Sequence, residues 1–194
     1  MKNMYRSRLG RFALVTLFGS LALTFAAEAQ PPPPGQEGTP AAKGAGGDVV
    51  DYKKLLPVLP EPPQGWKADE AEGSSDDLGE AQISSAHRDY TKDELGDAPT
   101  TSISILDSVA SPEYVDATTA GWKLNETTAE GYTKAVTIDG NPGFETYENE
   151  DKHGSLWLVV AKRYILQIET TAPDAGELQE WLKRIDLKKL AEVK

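Results

Sequence analysis

The stretch from Lys134 to Asp186, KAVTIDGNPGFETYENEDKHGSLWLVVAKRYILQIETTAPDAGELQEWLKRID, limits the possible folds more than any other part of the chain. It reads as a unit of three strands and a closing helix. GYTKAVTID forms a strand that ends at the turn Asp139-Gly140-Asn141-Pro142-Gly143, whose two glycines can take positive φ. FETYENE returns antiparallel, and the tight loop Asp151-Lys152-His153-Gly154 leads onward, with Gly154 suited to a hairpin connection. The run from Ser155 to Thr171 would span more than about 50 Å as one strand at roughly 3.3 Å per residue. It must therefore bend, and Lys162-Arg163 is its only polar break. After Thr171, Pro173-Asp174 begins a helix whose Leu178, Trp181, Leu182 and Ile185 recur at helical spacing, which makes a core-facing stripe. Asp186 caps a further short helical turn, LKKLAEV, with Leu187 and Leu190 as its apolar positions.

Upstream of this unit the patterning is weaker but still directional. Asp48 is read as the N-cap of a short helix, VVDYKKLL, stopped by Pro57. The proline-rich entry LPEPPQGW ends at Gly65 and Trp66, and a tryptophan after such a turn plugs the edge of a core more often than it stacks on a ligand. Residues 67–79, KADEAEGSSDDLG, read as an acidic loop. EAQISSAHRDYT alternates as a strand, with Ile83, Ser85 and His87 on one face and Ser84, Ala86, Arg88 and Tyr90 on the other. TTSISILDSV places Ile103 and Ile105 opposite Ser102, Ser104 and Leu106, and these two runs pair as a hairpin. Ser111-Pro112-Glu113 opens a helix that runs through YVDATTAGW. Asn125-Glu126-Thr127 fits the glycosylation sequon and is read as a chance match.

The first 47 residues read differently from the rest. Residues 1–29 have the order of a signal peptide: a basic start (MKNMYRSRLGR), an apolar run from Phe12 to Ala27, and the small-residue triplet Ala27-Glu28-Ala29, with cleavage expected after Ala29. That run is shorter than the roughly 20 residues that span a bilayer, so no stable membrane insertion is expected after cleavage. Residues 30–47, rich in Pro, Gly and Ala, have almost nothing to bury and read as a disordered linker. A single α+β domain over 48–194 is expected to follow, and the protein is expected to be periplasmic or secreted.

Composition removes several functions. Lys and Arg number 20 against 31 Asp and Glu, a formal charge of −11. The basic residues Lys2, Arg6, Arg8 and Arg11 fall within the signal segment, so the remainder is more acidic still. A nucleic-acid partner is not expected of such a surface, since phosphates need a basic footprint. The absence of cysteine excludes disulfides, thiol catalysis and thiolate metal sites. The two histidines, His87 and His153, fall on different elements without ligand spacing, and neither a G-x-G-x-x-G nor a phosphate loop occurs. No catalytic residue and no cofactor-binding residue is assigned, so an enzyme is not expected.

Asp69, Glu70, Glu72, Asp76 and Asp77 lack calcium-loop spacing, and whether they hold a metal stays open. Two functions from different classes fit. One is a non-enzymatic binding or adaptor domain of the bacterial cell envelope, acting on another envelope protein through the sheet face or loops. The alternative is a small-ligand or cation carrier that uses the acidic loops Asp69 to Asp77 and Glu148 to Asp151. A deep polar pocket would favour the carrier, and an exposed apolar patch the adaptor.

The order of helix, Gly-Trp entry, hairpin, helix, antiparallel meander and C-terminal helix resembles the PsbP-like fold, named for an extrinsic subunit of photosystem II. The residues that carry the likeness are Pro63-Gln64-Gly65-Trp66, the strands about Ile83 and Ile103 to Ile105, Phe144 to Tyr147, and the helix with Trp181 and Ile185, over roughly residues 48 to 186. The resemblance implies an α/β/α sandwich, an antiparallel sheet flanked by helices, and no particular activity.

Overall fold

The computed structural model describes residues 47–77, 82–93, 98–109 and 112–194. The signal peptide, all of the linker but its last residue, and the Ser111 cap lie outside those residues. The described residues belong to one compact unit.

Among the described residues nine strands form one antiparallel sheet: β1 (Trp66–Ala68), β2 (Glu72–Asp77), β3 (Gln82–Lys92), β4 (Thr100–Asp107), β5 (Asn125–Thr127), β6 (Gly131–Ile138), β7 (Asn141–Glu148), β8 (His153–Val160) and β9 (Tyr164–Thr171). Their spatial order is β1-β3-β4-β9-β8-β7-β6-β5, and β2 also pairs with β3. Three short helices, α1 (Pro112–Thr119), α2 (Glu177–Leu182) and α3 (Leu187–Glu192), complete a sheet-dominated α+β fold. The expected β3–β4 hairpin forms, with Ala86 opposite Ile105 and Tyr90 opposite Thr101, and β4 then docks on β9.

One face of the sheet makes the core. Ala86, Tyr90, Ile103, Ile105, Leu156, Leu158, Leu166 and Ile168 share a single hydrophobic cluster with Leu178, Trp181, Leu182, Ile185, Leu187 and Leu190. The stripe read from the sequence therefore buries as expected. Trp66 packs edge-on against Trp181 with ring centroids 5.0 Å apart, so it plugs the core rather than offering a stacking surface.

Several local readings need correction. Asp48 does not cap a helix: the segment forms two 3₁₀ turns, Tyr52–Lys54 and Leu56–Val58, and the cap is Asp51, whose carboxylate accepts from the Lys53 amide at 2.9 Å. Pro57 lies inside the second turn, near its start, where a missing N–H costs nothing. The acidic loop of residues 67–79 is largely strand, because β1 and β2 both hydrogen-bond to β3 and tertiary pairing outweighs the weak strand propensity of EGSSDD.

Helix α1 stops at Thr119, before Gly121 and Trp122. Helix α2 begins at Glu177 rather than at Pro173-Asp174, and Asp174 instead accepts from the Gly176 amide at 2.8 Å. Two glycines expected in turns lie in strands. Gly143 sits in β7, where an added Cβ would come within 2.5 Å of the Trp157 carbonyl oxygen, and Gly154 sits in β8 beneath Leu178 of α2. Both allow close approach rather than a turn.

The organising unit has four strands, not three, because the long run folds back at Ala161–Arg163. Ala161 and Lys162 take φ of 53° and 56°, and the Arg163 amide donates to the Val160 carbonyl at 3.0 Å. This is a primed turn built from residues that disfavour it, held from outside. Arg163 binds Asp107 through Nε at 2.9 Å and Nη2 at 2.7 Å, and Asn141 Oδ1 accepts from the Ala161 amide at 3.3 Å.

Candidate functional site

Asp107 and Glu145 are the buried carboxylates among the described residues. Asp107 also accepts from the Val50 amide at 2.8 Å and so fastens the N-terminal segment to the β8–β9 turn. Glu145 accepts from the Tyr132 hydroxyl at 2.5 Å, Lys134 Nζ at 2.8 Å and Gln179 Nε2 at 2.7 Å, which joins β6, β7 and α2. Burial, reinforced by that bond to Glu145, pushes the Tyr132 phenol well above its ordinary range, so it stays a donor. Both clusters are fully paired, and their chemistry is that of a clamp. Sequence reading missed them because their members lie on separate elements.

Among the described residues the two histidines are kept apart. His87 on β3 has Glu72 as its nearest acid, at 3.9 Å, and His153 lies on β8, with β4 and β9 between the two. The acidic stretches are likewise kept apart. Asp69 borders a depression of about 400 Å³ with Asp89, Glu169 and His153. Glu148, Glu150 and Asp151 border another of about 360 Å³ with Glu126 and Glu130, on the far half of the sheet. No group of three or more metal-ligating side chains is assembled among the described residues.

An apolar concavity lies beside α1. A groove of about 550 Å³ is lined by Ile83 of β3, Leu106 of β4 and Tyr114 and Ala117 of α1, with Gln82, Ser108 and Glu113 at its polar margin. Ile83 (37% exposed), Tyr114 (47%) and Leu124 (64%) are the exposed large hydrophobics among the described residues, and two of the three line this groove. Exposed Asp76 lies directly opposite Ile83 in the β2–β3 register, which puts both side chains on the groove side of the sheet. Helix α1 adds Glu113 and carries no basic residue. The result is an apolar slot with an acidic rim.

Its parts are scattered through the sequence, which is why no motif announced it. The one local signal was the outward Ile83 on a strand face otherwise occupied by Ser85 and His87. No helix among the described residues is long and apolar enough to cross a membrane. Comparison with protein-family models, with curated proteins and with solved structures finds no match.

Proposed function

We propose that the protein is an exported, non-enzymatic binding or adaptor domain of the bacterial cell envelope, and that the α1 groove receives an extended segment of another envelope protein with apolar and basic residues. The observation that carries this reading is the placing of Ile83 and Tyr114, both exposed, on one slot whose rim bears Asp76 and Glu113. Apolar side chains of the partner fill the slot, and its cations meet the rim. The overall charge of −11 favours the same partner chemistry and disfavours nucleic acid.

Two labelled peptides test the reading with the full chain: one alternating Leu and Lys, the other Leu and Glu. Fluorescence anisotropy should report saturable binding of the first and none of the second. Equal binding of both, or of neither, would overturn the groove as a docking site.

Export to the periplasm or beyond follows from the basic, apolar and small-residue order of residues 1–29. Sequencing the N-terminus of protein recovered outside the cytoplasm should return Gln30, and an intact Met1 would contradict it. For the fold, we propose a PsbP-like α/β/α sandwich with α1 on the sheet face opposite α2 and α3. Support comes from Trp122, just beyond α1, which stacks on Phe144 with centroids 6.3 Å apart and planes 6° from parallel, while Phe144 points away from the core face. An experimental structure with all three helices on one face would refute it.

A further inference from the structure

The sheet face opposite the core carries a second surface, independent of the groove. In register across β3, β4, β9, β8, β7 and β6 run Asp89, Ser102, Glu169, Ser155, Thr146 and Thr133, a row of hydroxyls and carboxylates on six strands. At about 4.8 Å per strand the row is roughly 24 Å across. The neighbouring row places Gln167, Trp157 and Phe144 side by side on β9, β8 and β7. The Asp89 end of this face is hollowed into the depression of about 400 Å³ described above, with Thr100, Ser102 and His153 along it.

Three features point to one class of ligand. First, Trp157 is half-buried and its Nε1 donates to Ser155 Oγ at 2.7 Å, so the indole lies back along its own strand instead of standing off the sheet. It gives a low aromatic platform of the kind that packs against the C–H face of a pyranose ring, next to Phe144, whose own ring is already stacked on Trp122. Second, the groups around the platform are donors and acceptors spaced by the sheet itself. Gln167 Nε2 already holds Glu169 Oε1 at 2.5 Å, which fixes both side chains before any ligand arrives. Third, no lysine or arginine occupies this face on any of the six strands, whereas Asp89, Glu169 and Glu148 do. Lys123 and Lys162 border the face only at its other end, beside Trp122, so an anionic ligand would meet repulsion along the row itself.

We propose that this face binds a glycan chain free of anionic groups, with its sugar rings running across the strands. Trp157 takes a ring face, while Ser102, Gln167 and Glu169 take hydroxyl or amine hydrogens. A neutral polymer and an amino-sugar polymer share this chemistry, and the measurement separates them.

Isothermal titration calorimetry with the full chain would use a hexamer of β-1,4-linked N-acetylglucosamine, the same hexamer deacetylated to free amines, and an oligogalacturonate. Binding of either of the first two, with none of the third, is the expected result. Trp157→Ala and Glu169→Ala should each weaken it roughly tenfold, as removal of a central contact does. The second variant keeps the test decisive if Trp157→Ala fails to fold. Loss of affinity confined to the amine form in Glu169→Ala would identify an amino-sugar ligand. No binding of either hexamer, binding unchanged in both variants, or equal binding of the oligogalacturonate would overturn the proposal.

Discussion

Asp107 at the end of β4 and Arg163 in the β8–β9 turn form a two-pronged ion pair, with Oδ1 to Nε at 2.9 Å and Oδ2 to Nη2 at 2.7 Å, around a carboxylate that is fully buried. The pair has further duties. Arg163 Nη2 also donates to the Asp48 carbonyl at 3.1 Å, and Ser108 Oγ donates to the Arg163 carbonyl. Asp107→Ala would strand a guanidinium beside a cavity and free the Val50 amide. It should cost about 3 kcal/mol, the low end for breaking a buried pair, because Arg163 keeps some contact with water. The exposed Lys67–Asp93 pair at 2.8 Å is the control, and Asp93→Ala should stay within about 0.5 kcal/mol. Urea midpoints of the two variants provide the comparison.

The turn that this pair secures stores correctable strain. Ala161 and Lys162 both occupy the left-handed region, where Asn and Gly are tolerated far better. Replacing them together, Ala161→Asn with Lys162→Gly, gives the preferred pair for this turn and should raise stability by about 1 kcal/mol. Thermal unfolding that shows no gain, or a loss, would mean the positive φ values are not retained.

Trp181 tests the core. It lies 4.4 Å from Tyr90 and 5.0 Å from Trp66, centroid to centroid, on the buried stripe of α2. Trp181→Ala should cost on the order of 3 to 5 kcal/mol through lost transfer energy and a cavity. On the same helix, exposed Glu180 pairs with exposed Lys183, and Glu180→Ala should cost within about 0.5 kcal/mol. Equal midpoints in urea would mean that α2 is not docked.

These elements differ in how far the sequence disclosed them. The α2 stripe, the β3–β4 hairpin and the strands β6 and β7 were legible because their signals are periodic and local. Strand β2 was not, since Glu72 to Asp77 become a strand only through pairing with β3. Gly143 and Gly154 were misread for a related reason: a glycine's sequence context suggests a turn, while here the cause is a neighbour, the Trp157 carbonyl in one case and Leu178 in the other. The groove was invisible because Ile83, Leu106 and Tyr114 converge only once β4 has paired with β3 and α1 has crossed back. Asp107 and Glu145 carry no local signal, because Arg163 and Gln179, which pair with them, lie on other elements.

Alkaline pH offers a prediction from the core phenols. Burial pushes Tyr90 up to about 12, only partly offset by Arg88, and its hydroxyl donates to the Pro60 carbonyl at 2.8 Å. The fold favours the protonated form, so this contribution is complete below the unfolded value of about 10 and is lost as pH rises toward 12. Urea midpoints should therefore fall between about pH 10 and 12, and fall less steeply in Tyr90→Phe. Parallel pH profiles for the two proteins would contradict the assignment.

The proposed function rests on the groove beside α1, and Tyr114→Asp is the most direct test because groove docking and bulk electrostatics predict opposite signs. Tyr114 is exposed and the substitution adds one more negative charge to an acidic rim. If the Leu/Lys peptide were held only by the charge of the protein, its affinity should rise. If its apolar side chains fill the slot between Ile83, Leu106 and Tyr114, affinity should drop roughly tenfold despite the added charge, as expected for loss of a central aromatic contact. Anisotropy titrations of the wild-type chain and of Tyr114→Asp at one salt concentration decide it: the drop supports docking in the groove, and unchanged or tighter binding contradicts it.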